Sequence, residues 1–309
     1  MTDKTHNIYA DIAALTRLQY QAKEFSFKPK QPVNSVLSGK QISKLRGRGL
    51  NFEELRHYRP GDDIRSMDWK VTRRTGKPHV KVYTEERERN VYLAIDQRAS
   101  MFFGSSKKMK SVVGAEVAAL IAWRVIATGD RVGALVFNDH NLKVINAKRS
   151  KQHVVSLLNE VIKQNHQLKS GHVEQNPSTS FNSMLAKLGN ICRHDALIIY
   201  VGDGNGWNDK STDLLKHLRQ HNEIIAVKVF DPLERKLPEM SQMLVSDGRY
   251  QIQFSSDNSK TQTEYELNLA AQLSEYTKAA NKLRIPLLAI DTISPAAQQL
   301  RKAMGQANR

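Results

Sequence analysis

The sequence predicts an α/β fold: a mostly parallel, doubly wound sheet with helices on both faces, preceded by an N-terminal helix and β-hairpin extension. Three observations point there. From residue 91 onward, strand-like runs alternate with helical ones, the pattern of a parallel sheet closed by helical crossovers. Runs such as "VYLAID" (91–96) and "DALIIYVGD" (195–203) are apolar throughout, as in strands buried on both faces. Residues 44–74 are instead dense in charge. The expected division is therefore an extension over 1–88 and an α/β domain over 89–309.

Ile8, Ile12, Leu15, Leu18 and Ala22 share one helical face, so 8–24 is read as a short helix. The prolines and turn residues of 25–40 make a loop. "HVKVYTEERERNVYLAID" (79–96) first alternates and then becomes a continuous apolar run, giving two strands, the second central. A largely buried helix covers 107–128 and ends at Gly129, a C′ glycine. Strands 131–138 and 142–147 form a hairpin, and Ser150 caps a helix over 150–164. Thr179 caps the next helix, before strand 195–203. Thr212 stands near the cap of the following helix, before strand 223–231. A hairpin is expected near 243–254 around Asp247-Gly248. A long helix and a last strand, 285–292, complete the chain.

The 309 residues suffice for a real core, and 40% hydrophobic with 25% charged residues is ordinary for a globular protein. The most apolar stretch, 111–129, is interrupted by Glu116 and Arg124, so no membrane span is expected. The first residues lack the basic start and apolar run of a secretory signal. The single cysteine, Cys192, precedes an apolar strand and reads as a core residue, with a nucleophile as the alternative. One thiol forms no internal disulfide, and a cytoplasmic location is expected. Net charge is +16; residues 1–90 carry 19 basic and 11 acidic residues, hence half of that excess. Nucleic acid, anionic lipid and an acidic protein face all suit such a charge.

Ligands of doubly wound sheets sit beyond the carboxyl ends of the strands. Asp96 to Ser100, Asn138, Asp139, Asp203 and Asp231 all fall at such ends. Asp96, Ser100, Thr179 and Asp203 supply carboxylates and hydroxyls, the oxygens that hard cations such as Mg2+ prefer. The plainer alternative is that both aspartates cap helix N-termini.

"IDQRASM" (95–101) is similar to the Asp-x-Ser-x-Ser-Met signature of von Willebrand factor A domains. The stretch "GRGLNFEELRHYRPGDDIRSMDWKVTRRTGKPHVKVYTEERE" (47–88) resembles the leader of a bacterial family known only as domain of unknown function, number fifty-eight. The resemblance covers roughly 35–210 and implies a von Willebrand A-like fold. It also implies an adaptor or co-chaperone role beside a MoxR-type AAA+ ATPase and a client protein. Carried over by position, Asp96, Ser100, Thr179 and Asp203 match the ligands of a metal-ion-dependent adhesion site. Arg98 falls where a serine ligand belongs. A guanidinium has five donors and no acceptor. Either Arg98 pairs with Asp96 or Asp203 and the site is degenerate, or it swings outward and Mg2+ still binds.

In the leader, Arg56, Tyr58, Gly61, Asp62, Asp63, Arg65, Asp68 and Trp69 read as an ion-pair and hydrogen-bond clamp onto the A-like domain, with Trp69 a buried anchor. The catalytic alternative makes His57 a base beside Asp68. No nucleophile elbow, phosphate loop or zinc spacing accompanies it. The basic runs 43–49 and 70–77 read as a solvated basic face or a dock for an acidic partner before nucleic acid, because few aromatics interleave with them. The expected function is a non-enzymatic interaction module that binds a protein partner at the strand-end face, through the degenerate adhesion-type site. The alternatives are a basic nucleic-acid-binding protein and, last, a metal-dependent hydrolase.

Overall fold

A computed structural model describes residues 7–22, 50–85, 88–171, 176–234, 243–246, 251–254 and 276–304. The chain divides into two compact units: residues 1–28 with 89–309, and residues 29–88.

In the larger unit, six strands form one sheet. They are β3 (Asn90–Asp96), β4 (Arg131–Phe137), β5 (Leu142–Lys148), β6 (Ala196–Gly202), β7 (Glu223–Phe230) and β10 (Leu287–Asp291). Their order is β10-β7-β6-β3-β4-β5. All pair in parallel except β5, which runs antiparallel beside β4. Counted along the chain this is the doubly wound order 3-2-1-4-5-6, the von Willebrand A-like arrangement. The winding reverses between β3 and β6, so the switch point opens where these two strands end.

Every residue of β6 is buried, and so is every residue of β3 after Asn90. Two apolar layers enclose the sheet. One gathers α1 (Ile12–Arg17), α3 (Lys110–Ala127), α4 (Lys151–Asn165) and α7 (Ala296–Ala303). The other gathers α5 (Pro177–Ile191), α6 (Asp209–His221) and part of the helical segment 276–282. Cys192 belongs to the second layer, where burial pushes its thiol up to about 12; it is a core residue.

The expected helix over 8–24 is shorter. Asp11 caps α1 at Ala14 N, and a 3-10 turn follows. It also belongs to the larger unit, not to the extension. Leu15 is buried in that core and its carbonyl accepts from Trp123 Nε1 at 3.1 Å. Ala10 N donates to Asn165 Oδ1 at 2.7 Å. Gly129 (φ 92°) and the Ser150 cap stand as expected. Two other caps do not. Asn176 precedes Pro177 at the start of α5, leaving Thr179 within the first turn. Asn208 caps α6 in a box with Ser211 and not with Thr212. In both cases a helix-start residue lies N-terminal to the one the pattern suggested.

The smaller unit pairs β1 (Leu50–His57) with β2 (His79–Glu85) antiparallel. Between them lies α2 (Trp69–Thr75). A separate hairpin joins β8 (Met243–Ser246) to β9 (Gln251–Phe254). The 25–40 loop, the basic run 43–49, the Asp247-Gly248 turn and the start of the long C-terminal helix lie outside the described residues. Among the described residues, no helix is long and apolar enough to cross a membrane.

Candidate functional site

The carboxyl end of β3 delivers Asp96, and a 3-10 turn over Ala99–Met101 then redirects the chain with Arg98 at its N-cap. Asp96 and Arg98 are both 0% exposed. The guanidinium grips the carboxylate in a fork: Nη2 donates to Oδ2 at 2.7 Å and Nε to Oδ1 at 3.0 Å. Arg98 N adds a third bond to Oδ1 at 3.1 Å, and the Tyr200 hydroxyl donates to Oδ2 at 3.0 Å. Both carboxylate oxygens are thus engaged.

The guanidinium also ties loops together. Nη1 donates to Pro177 O at the start of α5 (3.0 Å), and Nη2 to Asn205 O after β6 (2.8 Å). Its carbon lies 5.3 Å from the Phe137 ring centre and 5.7 Å from that of Phe181, favourable cation–π placements. The close fit needs small residues. A Cβ at Gly202 would strike Tyr200 Oη and Asp96 Cβ, and one at Gly206 (φ 81°) would strike the Pro177 carbonyl.

Asp203 holds a second cation. Lys110 Nζ lies 3.0 Å from Asp203 Oδ2 and also pairs with Glu234. Lys110 begins α3 and is 2% exposed. A cation at a helix N-terminus is opposed by the helix dipole; here two carboxylates outweigh that cost. Sequence reasoning missed Lys110. Its available signal was a lysine at the mouth of an otherwise apolar helix.

The charges shift accordingly. Burial pulls Arg98 down, but the Asp96 carboxylate outweighs it and holds the guanidinium above its ordinary value. At Asp96 burial is the larger influence and raises the carboxyl against the pull of Arg98. Burial also tends to raise Asp203, yet Lys110 and Arg98 hold it well below the usual carboxylate range. Tyr200 is driven well above its usual value by burial and then by the Asp96 charge.

Of the four residues matched to a cation site, Asp96 and Asp203 face built-in cations. Ser100 Oγ is buried without a hydrogen-bond partner among the described residues. Thr179 is exposed on the first turn of α5. A hard cation seeks six or more oxygens, and one unengaged hydroxyl beside two paired carboxylates does not fit it. Neither aspartate caps a helix: Asp96 Oδ1 and Asp203 Oδ1 accept from Arg98 N and Asn205 N, in the turns that follow their own strands. Asp139 accepts from Ala99 N at 3.0 Å. Asp231 accepts from Ser105 and Thr292. The strand ends are thus stitched together throughout.

Within the smaller unit, Arg56 pairs bidentately with Asp62, which also accepts from Arg59 N. Asp63 accepts from Arg65 N. Gly61 takes a positive φ of 100° in the Pro60-Gly61 turn, and Tyr58 N donates to Pro78 O. Asp68 caps α2 and pairs with Lys81 at 3.1 Å. His57 lies against His79, ring centres 4.4 Å apart and planes tilted by 44°, while Asp68 is engaged by the α2 backbone and Lys81. Trp69 is 65% exposed: it is no buried anchor, because the inner side of α2 is taken by Val71 and Thr72.

Among solved structures, the conserved hypothetical protein BatB from Bacteroides thetaiotaomicron is similar at a TM-score of 0.42 and 12% identity, over 70% of this chain and 98% of that one. The SpRpn10 VWA domain gives 0.44 and 12%, over 72% of this chain and all of the other. Uncharacterized proteins of Mycobacterium bovis and Mycobacterium tuberculosis are each 26% identical over 271 residues, covering 85% of this chain and 81% of the relative. The family described as protein of unknown function DUF58 matches residues 54–275, and the chain belongs to that family.

Proposed function

We propose that this chain is a non-enzymatic protein-interaction module whose cation site has been replaced by its own side chains. The observation that carries this reading is the buried Asp96–Arg98 fork at the sheet's switch point, where doubly wound folds place their ligands. Arg98 joins the three loops that a metal would otherwise join, and Lys110 neutralises Asp203. The module then needs no Mg2+ to hold its shape. The catalytic alternatives lack support: Cys192 is buried with a raised thiol, and Asp68 pairs with Lys81 and not with His57.

The family resemblance supplies the partner. The module works in the cytoplasm as an adaptor between a MoxR-type AAA+ ATPase and a client protein, with ATP hydrolysis belonging to the ATPase. The test is capture from cytosol on the immobilised chain, with and without ATP and Mg2+. Recovery of an AAA+ ATPase, unchanged when a chelator is added to the nucleotide-free sample, supports the reading. Failure to recover one, or retention of nucleic acid alone with steep loss as salt rises, overturns it.

A further inference from the structure

The strand-end charges face inward, with Asp96 and Arg98 fully buried. A partner finds little there to pair with. Phe103 and Ile293 are the exposed apolar groups in the turns after β3 and the last strand, at 41% and 44%, whereas the smaller unit exposes an indole together with a cluster of cations. Along α2, Val71 and Thr72 turn inward, and Thr72 Oγ1 accepts from His79 N at 3.0 Å. Trp69, Lys70, Arg73 and Arg74 are all exposed. Trp69 and Arg73 stand one helical turn apart, as do Lys70 and Arg74, so each pair is adjacent on the helix surface. The indole therefore sits on the cationic, solvent-facing side, where a folding role would not place it. Ile64, in the preceding 3-10 turn, is 59% exposed.

The helix beneath this face is capped and bridged. Asp68 accepts from Lys70 N and Val71 N and pairs with Lys81. Gly76, left-handed at φ 69°, ends the helix. The Arg56–Asp62 fork braces the adjoining turn. An exposed indole among arginines, on a helix whose backbone is capped at both ends, has the composition of an interface hot spot.

We infer that the exposed face of α2, Trp69 with Lys70, Arg73 and Arg74, is a docking surface for a protein partner that offers an apolar pocket ringed by carboxylates. The inference rests on the reading of the chain as an interaction module. Charge complementarity selects the occupant. Four cations (Lys70, Arg73, Arg74 and Lys77) follow Trp69 within eight residues, without an intervening acid. The exposed Asp63 stands before it, Asp62 being paired with Arg56, and a continuous polyanion such as nucleic acid or an anionic bilayer would meet that carboxylate too. Single-stranded nucleic acid is held by successive aromatics, and one indole on a seven-residue helix offers little apolar area for insertion into a bilayer.

The test places a photo-crosslinking benzoylphenylalanine at Lys70 and, separately, at Asn205 on the strand-end loop, in the full chain inside the source cells. The expected result is a protein crosslink from position 70 whose partner peptide is rich in Asp and Glu around an apolar residue. Its yield should fall about tenfold with Trp69→Ala, and likewise with Arg73→Glu/Arg74→Glu, while each variant melts as the parent does. Crosslinks from position 70 to nucleic acid, to lipid, to a second copy of the chain or to a non-acidic face overturn the inference. So does a yield that neither substitution changes. Crosslinks from Asn205 alone overturn it and leave the interaction reading standing; crosslinks from neither position overturn both.

Discussion

Arg98 shows how one residue changes what a strand-end turn can do. The guanidinium brings its own positive charge to a carboxylate that burial would otherwise penalise. Removing one partner strands the other. Asp96→Ala is expected to lower unfolding free energy by about 3–5 kcal/mol, measured by urea titration, whereas Asp96→Ala with Arg98→Met should lose far less. Asp203 sets an acid limit. Its carboxyl is held below the usual range, as is that of Asp231, where hydrogen bonds from Ser105 and Thr292 outweigh burial. Unfolded carboxyls take protons near pH 4 while these two remain ionised, so the unfolded chain binds more protons and stability falls as pH drops below about 5. Asp96, shifted upward, opposes the trend. Asp203→Asn should therefore flatten the acid limb of the stability curve measured between pH 5 and 2.

The elements explain why the strand ends meet. β3 and β6 are parallel neighbours with Ile95 opposite Val201, so the turns after them lie side by side. Gly202 lets Tyr200 fold back onto Asp96. Gly202→Ala should cost about 1–3 kcal/mol through overpacking and weaken the Tyr200 bond; a denaturation midpoint equal to the parent's would show that the turn yields freely. Legibility also differs by element. The central strands were plain in the sequence because burial on both faces leaves them apolar from end to end. Asp96 and Asp203 were found because they end such strands. Helix starts were less legible: Asn176 and Asn208 sit in polar loops where several residues can cap. Lys110 and the partners of Arg98 were not legible, since Pro177 and Asn205 lie 79 and 107 residues from it and only the fold brings their carbonyls to it. Trp69 was misread because indoles are usually buried, whereas α2 turns Val71 and Thr72 inward and leaves Trp69 outside.

For the whole molecule, an α/β unit with an internally bridged switch point is joined in one chain to a small basic unit that carries an exposed indole. The interaction reading divides the work between them: the first unit holds its shape without a metal, and the second presents the contact chemistry. Everything turns on whether Arg98 stands in for the cation. Calorimetric titration of the full chain with Mg2+ and Mn2+ measures this directly. No saturable binding is expected up to millimolar concentration. Micromolar binding that Asp96→Ala abolishes would contradict that expectation.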